Sequence, residues 1–453
     1  MVALNWIKAY FLEIKIGDLV MKKRNFVFLI AIFAVPLLFW SKESSAIPVF
    51  ARKYQTSCYT CHSGFITRNA FGEAFRNNGY RWPGEDDEEF TKQAQMKIGS
   101  DAQKNVFPDA PWPADIPGFG PFAIWLRGTL ANYSEQVRDK TGKVVTRQTL
   151  NWGAAGPLAS ASLFFGGTIG DQLSVLGVYD PLANAARGHF VWAFQPGLNL
   201  SVGNFFSDFS FGQAITTSNS VLPTDPGPNA LGTGAELIYT LERMKFTVGI
   251  TQAGTVTTAT GVSSVTVANH FDDIRYLRVK YKFDGAGLLS GAGGTLGNEF
   301  VGLDNHIAIG ASLVSLRPEI PKPTSTTTVL SAPHNQGETL IYEVDITGNY
   351  GNFTGGVAYS RDRDLGYDNF VIQTGYFIYP WLKATANYTS LQSGLNPNLA
   401  VGIGAWLRAN ASLTLTWTHP IREYVRTQAK PSATPSEGNT SVDTATLAVG
   451  FAF

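Results

Sequence analysis

The chain has 453 residues with 35 basic and 35 acidic side chains, and only 15% of residues are charged while 13% are aromatic. Formal neutrality argues against a nucleic-acid partner, and the charge content falls well below the roughly one quarter usual for soluble proteins. The length suits two or three soluble domains or one large barrel.

Residues 1–20 read as neither a signal nor a domain. Met21-Lys22-Lys23-Arg24 opens a secretory signal and is an alternative start. Its apolar run, Phe26 to Trp40, is shorter than the roughly 20 residues of a spanning helix and is interrupted by Pro36. Ser44-Ser45-Ala46 supplies the small residues of a cleavage site, so residues 1–46 are expected to be removed. They hold six of the basic and three of the acidic side chains, which leaves 29 against 32 and a mature chain three units negative.

Next comes Ser57-Cys58-Tyr59-Thr60-Cys61-His62, with the only two cysteines of the chain. C-x-x-C-H is the attachment pattern of c-type haem: two thiols can form thioethers with the two vinyl groups, and the next imidazole can ligate the iron. Cys58 and Cys61 are therefore the candidate thioether positions and His62 the candidate axial ligand. A redox dithiol would need a surrounding βαβ pattern. A zinc site would need further Cys or His ligands, and the next histidine is His189.

Phe65–Arg76 reads as a short amphipathic helix, with Ala70/Ala74 and Phe71/Phe75 at i, i+4 and a stop at Asn77-Asn78-Gly79. Its aromatics would cover one haem face. Met96 is the only methionine between the signal and residue 120 and is the candidate sixth ligand; a ligand from the large domain and an open site are the alternatives. The run Glu85-Asp86-Asp87-Glu88-Glu89 reads as a solvated loop. Residues 47–106 are thus expected to form a small α-helical monohaem cytochrome c domain, and the proline-rich 107–120 a stiff linker.

From 121 to 453 the pattern has period two: Phe122, Ile124 and Leu126 alternate with Ala123, Trp125 and Arg127; Leu277, Val279 and Tyr281 with Arg278, Lys280 and Lys282; Tyr342, Val344 and Ile346 with Glu343, Asp345 and Thr347. With their flanks these runs are about ten residues, the length of a tilted strand crossing a bilayer. Tight turns at Glu242-Arg243, Gly351-Asn352, Tyr379-Pro380 and Ala409-Asn410 intersperse with long polar loops near 218–232, 253–270, 317–337 and 422–441. One short and one long rim is the arrangement of an outer-membrane antiparallel β-barrel. The closing run Leu447 to Phe453 resembles the C-terminal signal of such barrels. About eleven strands follow residue 233 and five to seven precede it, which gives about 16 strands, with 18 also compatible. Arg278, Lys280, Lys282, Glu343 and Asp345 are expected to face a hydrated lumen. His189, His270, His306, His334 and His419 lack ligand spacing and read as loop or lumen residues.

Residues 47–80, through Ile47-Pro48-Val49-Phe50-Ala51-Arg52-Lys53-Tyr54, the C-x-x-C-H motif, Asn69-Ala70-Phe71-Gly72 and Phe75-Arg76-Asn77-Asn78-Gly79-Tyr80, resemble the fused monohaem cytochrome–porins, outer-membrane iron(II)-oxidising cytochromes of iron-oxidising bacteria. The resemblance implies one covalent haem c on Cys58 and Cys61 with His62 on the iron. It also implies electron uptake from extracellular Fe(II) or another reductant, and delivery to a periplasmic cytochrome or other carrier. On that reading the chain is a one-electron oxidoreductase whose haem segment plugs or enters the lumen from the periplasmic side. The rival readings are a transport porin with an N-terminal plug and no redox role, a periplasmic cytochrome with a soluble β domain, and an adhesin-like barrel with a small disulfide.

Overall fold

The computed structural model describes residues 49–56, 58–64, 67–84, 87–91, 95–96, 116–117, 122–134, 137–138, 144–146, 150–152, 160–181, 185–205, 233–252, 257–260, 263–266, 271–272, 274–292, 296–298, 302–316, 339–363, 368–390, 397–408, 411–421 and 443–452. Ile47–Phe453 forms one compact unit.

Period-two alternation becomes sixteen antiparallel strands, each paired with its sequence neighbour and closed by the last pairing with the first. In chain order they are β1 (Phe122–Ser134), β2 (Leu150–Trp152 and Ser160–Ile169), β3 (Leu173–Asp180), β4 (Ala185–Gln195), β5 (Leu198–Asn204), β6 (Thr233–Thr240), β7 (Met244–Thr251) and β8 (Ile274–Phe283). The second half is β9 (His306–Leu316), β10 (Thr339–Tyr350), β11 (Phe353–Asp362), β12 (Asp368–Tyr379), β13 (Leu382–Ser390), β14 (Asn398–Arg408), β15 (Ala411–Pro420) and β16 (Thr444–Ala452). Both pieces of β2 pair with β1, which makes them one interrupted strand. β16 closes on β1 with Phe451 opposite Leu126, so no edge is left unpaired.

The faces are inverted relative to a soluble protein. Phe190 (54% exposed), Trp192, Leu237, Val248, Ile307, Val344 and Ile346 stand outward, while Glu236, Lys245, Arg278, Glu343, Asp345 and Gln373 are buried inward. An apolar exterior around a polar interior is stable only where lipid is the outer solvent, and closure satisfies every strand there. The chain is an outer-membrane barrel in contact with lipid. Tyr239, Tyr281, Phe283, Tyr350, Tyr379 and Trp381 are exposed near strand ends at one rim, where an aromatic girdle meets the interface.

The four tight turns expected from the sequence all fall at one rim, and the four long loops join strand ends at the other. Most of those loops lie outside the described residues. The rim of short turns has one exception that the sequence reading missed: 284–305, between β8 and β9, carries its own Leu296–Asn298/Leu303–Asp304 pairing. Asp304 there sits 2.6 Å from Lys282 Nζ. Burial pushes its carboxyl up, but hydrogen bonds and charge from His306 and Lys282 outweigh this and hold its pKa well below the carboxylate range.

The helix expected over 65–76 is corrected to Ala70–Asn77. Thr67–Arg68 is instead extended and pairs with His62–Gly64. The start is set by Asn69, whose extended backbone and side-chain oxygen cap the helix by accepting from Gly72 N–H. The stop falls where it was expected: Asn78 caps the end and Gly79 follows at φ +67°. We call this helix α2, after α1 (Val49–Lys53) and before α3 (Asp87–Phe90).

Candidate functional site

The C-x-x-C-H stretch folds as a short 3-10 turn, Cys58–Thr60, followed by the extended His62–Gly64. The start of α2 clamps it. Asn69 Nδ2 donates to the carbonyls of Tyr59 (2.9 Å) and Thr60 (3.1 Å), and Asn69 N donates to Cys61 O (3.0 Å). Gly72 lies so close that a Cβ there would stand 2.0 Å from Cys61 O. The side chain of Cys58 lies outside the described residues.

Behind the turn, aromatic rings fill the space that a small segment cannot fill with aliphatic residues. Phe50 packs edge-on to Phe75 (5.3 Å between centroids) and stacks on Tyr80 (5.6 Å), and Trp82 stacks on Phe90 (4.7 Å). Lys53 and Tyr54 both donate to the Asp87 carboxylate, and Trp82 N–H adds a bond at 3.0 Å. Part of the acidic run is therefore a structural tie rather than a solvated loop.

This segment sits inside the barrel at the rim of short turns. Asn199 Nδ2 on β5 donates to Asn77 O at 2.6 Å, and Lys245 Nζ on β7 donates to Asn77 Oδ1 at 2.9 Å. Arg81 reaches Ser174 Oγ on β3 (3.2 Å) and the Leu173 carbonyl (3.0 Å), and Lys53 reaches Thr168 on β2. Tyr59 OH meets the Trp406 carbonyl at the end of β14. The 284–305 connection supports α2 from below: Asn77 and Asn78 donate to the Leu288 and Leu289 carbonyls, and Ala70 N–H to Gly302 O.

Between the segment and the wall of β1–β6 lies a cavity of about 410 Å³, within the roughly 300–1,000 Å³ of cofactor and ligand sites. His62, Phe50 and Tyr80 line one side. On the barrel side the otherwise polar inner face becomes apolar, with Ala123, Trp125, Phe164, Leu176, Val178 and Val191. His189, in the middle of β4, faces the same cavity, as do Arg68, Arg76 and Arg187. Nη2 of Arg68 is buried and makes no hydrogen bond among the described residues, while its Nε is held by Glu73 at 2.8 Å.

His62 is thus at a cavity and Cys61 beside it, whereas Met96 is described only by its backbone, which pairs with Ile116. The rest of the expected 107–120 linker lies outside the described residues, apart from Pro117 in the same pairing. His189 is a lumen residue, as expected, but its position at this cavity has no local sequence signal. Its strand neighbours are Leu176 and Gly203. His306 lies 3.3 Å from Asp304, and His419 lies 2.6 Å from Asp443; His270 and His334 fall outside the described residues.

The expected lumen charges face inward, but Arg278, Glu343 and Asp345 do more than solvate. Arg278 lies 2.7 Å from Asp345 and 3.5 Å from Glu343, with both carboxylates almost fully buried. Among the described residues no cluster of three or more His, Cys, Asp or Glu side chains could hold a metal ion.

No family model matches this sequence, and no curated protein matches it. Among solved structures, OmpF of Salmonella typhi in complex with daunomycin is similar at a TM-score of 0.47 and 9% identity, covering 73% of this chain and 97% of that one. OmpT of Vibrio cholerae gives 0.42 and 11%, covering 73% and 97%. A mutant porin of Rhodopseudomonas blastica gives 0.43 and 10%, covering 73% and 99%. The barrel assignment rests on this chain's own pairing register and faces.

Proposed function

We propose that this outer-membrane barrel carries one covalent haem c in its lumen and passes electrons from an extracellular donor to a periplasmic carrier. The barrel architecture alone favours a plainer reading, a transport barrel with an N-terminal plug. The observation that supports electron transfer is the cavity between the C-x-x-C-H turn and the inner wall.

The residues there fit such a group. Cys58 and Cys61 would hold it by thioethers and His62 would ligate its iron, with Phe50, Tyr80, Trp125, Phe164 and Leu176 among the apolar side chains of the cavity. Arg68, Arg76 and Arg187 place guanidinium groups around the cavity, and the buried Arg68 Nη2 is a donor suited to a carboxylate. Haem c would supply a one-electron Fe(III)/Fe(II) couple at this position. The resemblance of residues 47–80 to the cytochrome–porins makes Fe(II) the first donor to test. Each extracellular Fe(II) becomes Fe(III), and the carrier gains the one electron released. No bond is made in a substrate, so no general acid or nucleophile is required. A hydrocarbon core of about 30 Å insulates the two sides, and a cofactor within the lumen shortens that gap.

The test is a haem-stained denaturing gel of detergent-extracted outer membranes. A stained band near the mature mass, lost in Cys61→Ala, supports the proposal and makes oxidation of Fe(II) by intact cells the next assay. An unstained band in the same fraction overturns it and leaves the plugged transport barrel.

A further inference from the structure

His189 is an imidazole in the middle of the barrel strand β4, beside apolar side chains of the inner wall. Nothing in the hydration of a lumen calls for that. Its alternate-face neighbours, Phe190 and Trp192, point to lipid, so strand parity commits His189 to the interior. On that interior it lines the same cavity as His62, from the opposite element.

The ring is also held. One of its nitrogens is hydrogen-bonded to the Asn204 backbone, and the ring packs edge-on to Phe205 at 5.9 Å between centroids. A backbone partner on one ring nitrogen leaves the other nitrogen for a metal, the usual support of a metal-bound histidine. The wall is shaped around it. Opposite His189 on β5 is Gly203, at φ +130°, where a Cβ would stand 2.5 Å from Gly188 O and 2.8 Å from His189 Cα. Only glycine allows β5 to approach this closely. Glu236, another ligating type on the lining, already accepts from Tyr276 OH at 2.7 Å.

We propose that His189 is the second axial ligand of the haem iron, so that the covalent half of the site comes from the N-terminal segment and the other half from strand β4 of the barrel. This rests on the haem reading above. It makes the seat of the segment and the coordination of the iron interdependent, since the sixth ligand is in place only once the segment is inside the closed barrel. Two imidazoles also hold a lower potential than an imidazole and a thioether.

The experiment is optical and paramagnetic spectroscopy of the purified full-length protein, with His189→Ala and Met96→Leu alongside. Unmodified protein is expected to show a low-spin ferric spectrum without the long-wavelength charge-transfer band of a thioether sulfur on iron. His189→Ala is expected to lose the low-spin signature and to regain it with added imidazole, while Met96→Leu matches the unmodified protein. A sulfur band in the unmodified protein overturns the proposal, even if His189→Ala fails to fold. So does an unchanged spectrum in a folded His189→Ala barrel. Absence of haem stain in the unmodified protein is a separate result, which removes the underlying reading and this ligand with it.

Discussion

At Asn69 one side chain serves three backbone groups: its oxygen accepts from Gly72 N–H and its nitrogen donates to the Tyr59 and Thr60 carbonyls. An N-cap of this kind is worth about 1 kcal/mol in helix stability alone, and here it also fixes the turn that precedes His62. Asp87 has a comparable role on the other side of the segment. Burial pushes its carboxyl up, but the Lys53 charge, hydrogen bonds from Lys53 and Tyr54, and Trp82 N–H together outweigh that and hold its pKa below the ordinary value. A carboxyl depressed by folding stabilises the fold above its unfolded pKa of about 4, and that contribution is lost as the pH falls through the folded value. Asp87→Asn is therefore expected to weaken the segment's seat by roughly 1–3 kcal/mol at neutral pH. Read as the urea concentration at which protease cuts within residues 47–91, the difference from unmodified protein should shrink progressively below about pH 4. A difference independent of pH would remove the charge from the account.

At the scale of elements, β8, β9 and β10 show how a lumen-facing ladder is built. Arg278 on β8 reaches over Gly310 on β9 to Asp345 on β10, and a Cβ at Gly310 would fall 2.3 Å from Asp345 Oδ2. The glycine is what lets the ion pair span two strands. Replacing Arg278 by Met leaves two buried carboxylates without their cation, which costs about 3–5 kcal/mol. The folded, fast-migrating band on a denaturing gel should then be lost at a lower temperature. Adding Glu343→Gln and Asp345→Asn should recover most of the loss; no recovery would mean that Arg278 acts through packing.

The strands themselves were legible, because alternation is local: eleven strands follow residue 233 and five precede it, as the pattern and turns implied. The interruption of β2 and the 284–305 connection were not, since neither breaks the alternation in a way that a short window detects. The start of α2 was misplaced because Phe65 and Ile66 extend the apolar period, whereas the cap at Asn69 sets the boundary. C-x-x-C-H was legible as a motif and the segment's entry into the lumen was expected, but where in the lumen it sits was not. That position depends on partners such as Asn199 and Lys245, more than a hundred residues away in sequence. His189 belongs with the unreadable part: its meaning comes from strand parity and from what faces it across the lumen.

For the whole molecule, the decisive relation is between the N-terminal segment and the opening it occupies. A barrel of 16 strands encloses a water-accessible channel when nothing fills it. Here the segment is tied to β2, β3, β5, β7 and β14 around the circumference, and to the 284–305 connection beneath it. None of the barrel's own pairings uses the segment, since closure is by β16 on β1. Deleting residues 47–106 while keeping residues 1–46 should therefore leave a folded barrel. In a planar bilayer the truncated protein should conduct several-fold more than the full-length protein, because the polar inner face is then open to ions. Equal conductance would mean that ions already pass freely beside the segment, as a diffusion porin requires, and that it is no plug. A low full-length conductance that rises with truncation fits a barrel whose lumen holds a fixture, which both a lumen cofactor and a plugged transport barrel require.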